Sequence, residues 1–192
     1  MGCQPTLNTP RLILRPFTQA DAPELQRLAN APEIAATTLH IPHPYPKGMA
    51  EIWIKQHPEM FETGQGAVFA IVLRREGTLV GCVGLGCDPE NQNAELGYWI
   101  GVPYWNRGYA TEAARMVVAF GFATFGLHRI KSSYFGSNPA SGRVMEKIGM
   151  RYEGRRREQL FKEGRGFEDV VEYGLLREDF IAQGLKNAAA SR

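Results

Sequence analysis

The chain has 192 residues, 44% of them hydrophobic, which is enough to bury the core of one domain. Its 22 basic and 20 acidic residues leave a formal net charge of +2, which argues against a surface for nucleic acid or an anionic membrane. No apolar stretch approaches the roughly 20 residues of a membrane span, and the polar N-terminus is unlike a signal peptide. We therefore expect one cytoplasmic domain, a monomer or homodimer, with a small or local partner.

The first predicted elements are a strand and a helix. Leu12 and Leu14 share one face of an alternating run, which is typical of a strand with one buried side. Thr18 then offers a helix N-cap, and Leu25 and Leu28 mark one face of the helix. A proline-broken stretch with short helical segments follows.

Three strands are predicted in the middle of the chain. The β-rich runs 67–73 and 78–85 are joined through Glu76-Gly77, which is a hairpin signal. A polar turn separates them from a third strand over 95–100. Together these runs predict an antiparallel arrangement.

Helices and strands alternate in the rest of the chain. The pattern predicts a mostly buried helix over 111–125, a strand over 130–135, a helix over 139–148 and strands over 151–161 and 170–176. This order predicts a mixed α/β (α+β) fold with a mostly antiparallel sheet of about seven strands flanked by helices. We expect a single domain over residues 9–180, with flexible termini over 1–8 and 187–192.

The first candidate site is the segment Tyr104 to Glu112, which follows one predicted strand and opens the buried helix. The start of a helix has unpaired N–H groups and a positive dipole end, so it can hold a pyrophosphate if the backbone comes close. Gly108 and Ala110 permit that approach, and Arg107 can add a charge-assisted contact. Taken alone, the segment also fits an ordinary glycine-containing turn.

The second candidate site is the segment Ser137 to Met150, again a strand end that leads into a helix. Asn138 and Pro139 form a strong pair for the N-cap and first position of a helix, which explains both residues without any function. Ser141 in the first helical turn has the same structural explanation.

The two segments lie about thirty residues apart, with Glu95-Leu96-Gly97-Tyr98-Trp99-Ile100 just ahead of the first. Together with Thr-Pro-Arg-Leu-x-Leu-Arg at 9–15 and the ending at 168–175, they resemble the GNAT superfamily of N-acetyltransferases. The closer resemblance is to its RimJ/RimL branch, the ribosomal-protein-alanine acetyltransferase type. It covers the chain from Thr9 to about Phe180.

The resemblance implies an enzyme that transfers the acetyl group of acetyl-CoA, without a metal, to a primary amine in a ternary complex. It implies a sheet that splays open between strands 95–100 and 130–135, with pantetheine in the gap. The resemblance implies that Ser141 contacts the cofactor. The other cofactor residues that it implies are Ile100, Gly101 and Val102 at the pantetheine amides, Arg107, Gly108, Tyr109, Ala110 and Thr111 at the pyrophosphate, Asn138 at the pantetheine arm, and Arg143 and Lys147 at the CoA phosphates. A solvated helix face explains the last two equally well.

Two departures from the superfamily affect the assignment of roles. Trp105 stands where the phosphate loop often has Arg or Gln, and Met145 stands where the second helix often presents a Tyr as acid. Ser141 is then the nearest hydroxyl for the departing thiolate. Glu95 resembles the base carboxylate of many relatives, although a strand Glu often only faces solvent.

The resemblance places an acceptor pocket beside the early helices and a loop near the C-terminus. Its candidate lining residues are His40, Tyr45, Trp53 and Phe161. Protein N-termini, amino sugars, polyamines and antibiotics all stay open as acceptors. A non-catalytic acyl-CoA sensor and a transferase of another acyl group, such as succinyl, are the alternative functions.

A metal site and a disulfide framework are not expected. Cys3, Cys82 and Cys87 are an odd number of cysteines without CxxC spacing. His40 and His43 have i, i+3 spacing but no third ligand.

Overall fold

A single eight-stranded sheet forms the centre of the protein, in the strand order β1-β2-β3-β4-β5-β6-β8-β7. The computed structural model describes residues 2–190, and side chains as far as residue 184. The strands are β1 Leu7–Asn8, β2 Leu12–Pro16, β3 Gly66–Leu73, β4 Leu79–Asp88, β5 Asn93–Ile100, β6 Arg129–Phe135, β7 Arg151–Lys162 and β8 Gly166–Leu176.

Helices cover the sheet and supply much of the core. They are α1 Ala22–Ala29, α2 Pro32–Thr37, α3 Met49–Lys55, α4 His57–Glu62, α5 Tyr109–Thr124, α6 Pro139–Lys147 and α7 Arg177–Ala190. The apolar face of α5, with Ala113 and Val117 fully buried, packs on β4 and β5. The apolar face of α1, with Leu25 and Leu28, packs on α3 and β4 in a second cluster. Among the described residues, no helix is long and apolar enough to cross a membrane.

The sheet opens between β5 and β6, which are its parallel neighbours. Their pairing runs only from Asn93–Arg129 to Glu95–Lys131, although β5 continues to Ile100 and β6 to Phe135. Just beyond the last pair, the buried Ser132 hydroxyl donates to the Leu96 carbonyl oxygen at 2.8 Å. This side chain satisfies a backbone acceptor where the backbone pairing stops, so the strands can separate without a buried unpaired carbonyl.

The predicted fold class is confirmed: the sheet is mixed, mostly antiparallel, flanked by helices and splayed between the two predicted strands. It has eight strands rather than seven, because Leu7 and Asn8 pair with β2 as β1. Those two residues lie within the segment 1–8 that we predicted to be flexible, so the sheet begins before the predicted domain boundary.

The C-terminal helix α7 is a second difference from the predicted elements. We expected flexibility over 187–192, and α7 extends through Ala190. Residues 191 and 192 lie outside the described residues, and side chains are not described after residue 184. The flexibility of this segment stays a prediction.

Candidate active site

Two adjoining cavities lie along the gap between β5 and β6. The larger has a volume of about 500 Å³ and the smaller about 350 Å³. The residues that line both are Thr37, Thr38, Tyr98, Trp99 and Ser141. The cavities therefore meet at the point where Tyr98 on β5 approaches Ser141 on α6.

The smaller cavity collects the residues that we predicted for the cofactor. Its lining includes Ile100, Arg107, Gly108, Tyr109, Ala110, Thr111, Asn138, Ser141, Arg143 and Lys147. Gly101 and Val102 line neither cavity, and the Gly101 N–H donates to the Val80 carbonyl at 2.8 Å. Three cations and the start of a helix therefore border one cleft, which is an arrangement suited to phosphate groups.

The start of α5 has the geometry of an anion-binding turn. Gly108 is its N-cap and has a φ of 76°, a left-handed conformation that glycine adopts without strain. Tyr109, Ala110 and Thr111 form the first turn of α5, whose N–H groups have no partner within the helix, and all three line the smaller cavity.

The N-terminal Thr-Pro-Arg motif anchors this turn, a role that the sequence did not reveal. The Glu112 carboxylate accepts from the Thr9 hydroxyl at 2.6 Å, the Arg11 backbone N–H at 2.9 Å and the Arg11 Nε at 2.6 Å. Burial raises the pKa of Glu112, but these hydrogen bonds and the Arg11 charge outweigh it and hold the pKa below its usual value. Arg11 Nη1 also donates to the Arg107 carbonyl at 2.9 Å.

Trp105 links the turn before α5 to the end of β5. Its indole N–H donates to the Ile100 carbonyl oxygen at 2.5 Å, and its ring lines the smaller cavity. The residue that departs from the superfamily pattern therefore supports the turn and contributes no charge.

Tyr98 and Ser141 form a hydrogen-bonded pair where the two cavities meet. The Ser141 hydroxyl donates to the Tyr98 oxygen at 2.9 Å, and the Tyr98 hydroxyl donates to the Ser141 carbonyl at 2.9 Å. Burial, opposed by the hydrogen bond from Ser141, raises the pKa of Tyr98 well above its usual value. Met145, which replaces the usual tyrosine, is fully buried in the core. The sequence motif contains Tyr98 but gave no signal of this pairing.

Glu95 lines the larger cavity at the last position of β5 that pairs with β6. Its side chain is 56% exposed, and its Oε2 lies 3.8 Å from Lys131 Nζ on β6. An exposed pair at this distance is weak, so the carboxylate is free to accept a proton or to bind an ammonium group.

Three of the four predicted acceptor residues, His40, Tyr45 and Trp53, line the larger cavity. Phe161 does not: it is 66% exposed and contacts Phe167, with ring centroids 5.4 Å apart. Its neighbour Leu160 lines the cavity instead. Successive side chains of a strand point to opposite faces, and the register of β7 shifts between Arg156 and Leu160, which the alternation of the sequence could not show.

The part of the chain that the structure describes contains no group of three or more His, Cys, Asp or Glu side chains placed to hold a metal ion. Cys82 lines the larger cavity, and burial raises the pKa of its thiol well above the usual value. A thiol held neutral in this way is a weak nucleophile.

Known proteins match both the sequence and the fold. The family model described as Acetyltransferase (GNAT) domain matches residues 11–151. The uncharacterized N-acetyltransferase p20 of Bacillus licheniformis is 28% identical over 176 residues, which is 91% of this chain and 98% of that protein. The crystal structure of a GNAT-family acetyltransferase from Bacillus anthracis has a TM-score of 0.79 and 26% identity, and the match covers 90% of this chain and 99% of that one.

RimL, a ribosomal L7/L12 alpha-N-protein acetyltransferase solved in complex with coenzyme A, shares the fold. Its TM-score is 0.78 at 17% identity, over 88% of this chain and 95% of its own. The open sheet, the cleft and these matches define the protein as an acyltransferase. The chain belongs to the GNAT acetyltransferase family, and the resemblance inferred from its sequence is confirmed.

Proposed function

We propose that this protein transfers the acetyl group of acetyl-CoA to a primary amine by direct attack within a ternary complex. The observation that carries the proposal is the pair of adjoining cavities, one bordered by cations and a helix start and the other containing the Glu95 carboxylate. Family membership supports the acyl transfer, and RimL, which was solved with coenzyme A, supports the choice of donor.

In this proposal the N–H groups at the start of α5 bind the pyrophosphate, and Arg107, Arg143 and Lys147 add charge around the phosphates. The thioester then lies in the gap, beside the stretch of β5 that has no pairing to β6 beyond Glu95. Backbone N–H groups on that stretch are suited to stabilise the oxyanion that forms at the thioester carbonyl.

Glu95 accepts the proton of the incoming ammonium group, directly or through water, because only the neutral amine carries a lone pair for attack. The new C–N bond forms as the C–S bond breaks, and the electron pair leaves with sulfur. The second proton that nitrogen loses as the amide forms passes to the thiolate or to water. Ser141 can turn its hydroxyl from Tyr98 toward the departing sulfur, because a hydroxyl hydrogen rotates about its C–O bond.

A binding experiment with two donors tests the cofactor cleft. Arg143→Gln should weaken acetyl-CoA binding by about tenfold, the loss of one charge-assisted contact. It should leave binding of acetylpantetheine, which lacks the pyrophosphate, unchanged. Arg151→Gln is the matched control, since Arg151 pairs with Asp179 and lines neither cavity. Equal affinity of wild type and Arg143→Gln for acetyl-CoA would remove Arg143 from the site.

A screen for free CoA thiol with acetyl-CoA and a set of amines tests catalysis itself. Amine-dependent thiol release supports the transferase. A non-catalytic acyl-CoA sensor is the second candidate, favoured by the burial of Met145 and by the hydrogen bond that engages the Ser141 hydroxyl. Tight binding of acetyl-CoA, with no amine causing release of the CoA thiol, would favour the sensor. Faster release of the thiol from succinyl-CoA than from acetyl-CoA would show that the donor is succinyl-CoA.

A further inference from the structure

The larger cavity is lined almost entirely by uncharged side chains. Among the described Asp, Glu, Lys and Arg residues, Glu95 alone contributes to its lining. The opposite walls are formed by apolar and aromatic groups from the helices and strands around it, including Leu39, Tyr45, Trp53, Met60, Trp99 and Leu160. An ammonium group that enters therefore has one carboxylate to meet. The rest of its molecule meets a lining that is mostly apolar but also includes the His40 imidazole and hydroxyl groups such as those of Tyr45 and Ser133.

Two cations lie beside this cavity, one at the end of β7 and one in the turn that follows it. Lys162 Nζ donates to the carbonyl of Thr38, a lining residue, at 2.6 Å, and lies 5.8 Å from the ring centroid of Phe135, another lining residue. Arg165 Nη1 donates to the Ala36 carbonyl at 3.2 Å. The two cations connect the end of β7 and the following turn to the C-terminal end of α2. Because Arg165 also pairs with Glu168 at 3.1 Å, the positive charge beside the cavity wall comes mainly from Lys162.

We propose that the acceptor is a primary amine with a single positive charge, carried on an uncharged apolar or aromatic body. The proposal rests on the proposed function of the site and specifies its substrate class. The amine lies at Glu95, and the apolar body fills the cavity between Trp53 and Leu160. An apolar cavity of about 150 Å³ already holds a benzene ring, so the volume of about 500 Å³ accommodates such a body beside the acetyl group.

This lining disfavours the charged acceptors used by other acetyltransferases. The second ammonium of a polyamine would lie among apolar side chains with no second carboxylate, close to Lys162. A phosphate or carboxylate on the acceptor would lie in the same apolar wall with no lining Lys or Arg to bind it. Charge at the far end of the acceptor is therefore unfavourable whichever sign it has.

Three amines of matched length test the proposal on the full chain with acetyl-CoA. Hexylamine, 1,6-diaminohexane and 6-aminohexanoate differ only in the charge at the far end. We expect kcat/KM for hexylamine to exceed that for each of the other two by about tenfold or more. Equal or faster acetylation of the diamine or of the amino acid would overturn the proposal.

A binding measurement separates this proposal from the proposed function. Thermal shift of the CoA-bound protein with each amine reports affinity without any turnover. If hexylamine stabilises the protein most but no amine is acetylated, the catalytic assignment fails and the ligand class stands. If the three amines stabilise it equally, or none does, the ligand class is wrong.

A change of charge in the wall provides a gain-of-function test. Leu39 lines the cavity and is 47% exposed, so an acidic group there is tolerated. Leu39→Asp should raise the ratio of diamine to hexylamine kcat/KM by about tenfold. The neutral isostere Leu39→Asn is the matched control and should leave that ratio near the wild-type value. An unchanged ratio in Leu39→Asp would contradict the proposal.

Discussion

At the scale of the residue, the hydroxyl groups of Tyr98 and Ser141 bear on the proposed departure of the thiolate. Tyr98 is a poor proton donor because burial raises its pKa. A serine hydroxyl is also a weak acid, so a hydrogen bond to sulfur is the realistic contribution of Ser141, about 1 to 3 kcal/mol. A CoA thiol with a pKa near 8.5 is a tolerable leaving group, so this assistance is secondary.

We expect Ser141→Ala to lower kcat by roughly 5- to 150-fold, the equivalent of that hydrogen bond, with cofactor affinity and melting temperature nearly unchanged. Tyr98→Phe is the matched variant, because it removes the oxygen to which Ser141 donates and keeps the Ser141 hydroxyl. It should retain kcat within a fewfold of wild type. The test is to measure kcat of both variants by steady-state kinetics. A normal kcat in Ser141→Ala, or a loss of kcat in Tyr98→Phe equal to that in Ser141→Ala, would show that Ser141 does not assist departure of the thiolate.

The carboxylate of Glu95 is the proposed base. Glu95→Gln should lower the rate by about 10²-fold or more, since it cannot accept the proton of the ammonium group. The loss should diminish at high pH, where the amine is already neutral. Cofactor affinity should be unchanged, and because the side chain is more than half exposed, so should the melting temperature.

The pH–rate profile of Glu95→Gln is the measurement, with Lys131→Met as the comparison because Lys131 lies 3.8 Å from the carboxylate. Lys131→Met should keep most of the activity. Wild-type turnover of Glu95→Gln at neutral pH would leave Glu95 with a structural role only.

At the scale of the element, the start of α5 depends on a carboxylate held by residues about a hundred positions away. Glu112→Gln should destabilise the fold by about 1 to 3 kcal/mol, because its hydrogen bonds from Thr9 and Arg11 are charge-assisted and the side chain is 15% exposed. The substitution should also weaken acetyl-CoA binding, since α5 begins at the turn that we propose to bind the pyrophosphate. Denaturant unfolding and donor titration measure the two effects.

The matched control is Glu24→Gln on α1, whose carboxylate pairs with Arg27 on the protein surface. An exposed pair of this type contributes little, so its loss should be barely measurable. The lowered pKa of Glu112 also determines how its contribution to the free energy of unfolding depends on pH. That contribution is complete above the pKa of Glu112 in the unfolded chain, and it is lost as the pH falls through the lower pKa of the folded chain. Equal stability of wild type and Glu112→Gln at neutral pH would contradict this anchoring.

At the scale of the whole molecule, a buried histidine should make global stability sensitive to mild acid. His57 at the start of α4 is 6% exposed, packs edge-on against Trp53 with ring centroids 4.2 Å apart, and has no hydrogen-bond partner for either ring nitrogen. Burial lowers its pKa to about 4. The unfolded chain has a His pKa near 6.5. Between about pH 6.5 and pH 4, therefore, His57 is mostly protonated in the unfolded chain and mostly neutral in the folded one.

Stability should accordingly fall as the pH falls from about 6.5 toward 4, by about 2 kcal/mol between pH 7 and pH 5. His57→Phe keeps an aromatic ring beside Trp53 and should lose this slope, while His43→Asn in an exposed loop should retain it. Urea unfolding at the two pH values gives the comparison. An identical slope in wild type and His57→Phe would show that the pKa of His57 does not differ between the folded and the unfolded chain.

The sequence was sufficient for most of the elements because their signals are local. The alternation at Leu12 and Leu14, the Glu76-Gly77 turn and the Asn138-Pro139 helix start are patterns within a few residues, and each predicted element is present. The two candidate segments were also recognised by local pattern, and the residues predicted for the phosphate turn lie together in the smaller cavity. The elements that were missed, β1 and α7, lie at the ends of the chain.

Only the tertiary structure decided what depends on residues far apart in the chain. The separation of β5 from β6, with Ser132 bonded to the Leu96 carbonyl, is a property of two strands at once. The same holds for the anchoring of Glu112 by Thr9 and for the pairing of Tyr98 with Ser141. Side-chain identity along one strand cannot specify which distant group completes a hydrogen bond, because that choice is made when helices and sheet pack together and most buried polar groups find a partner.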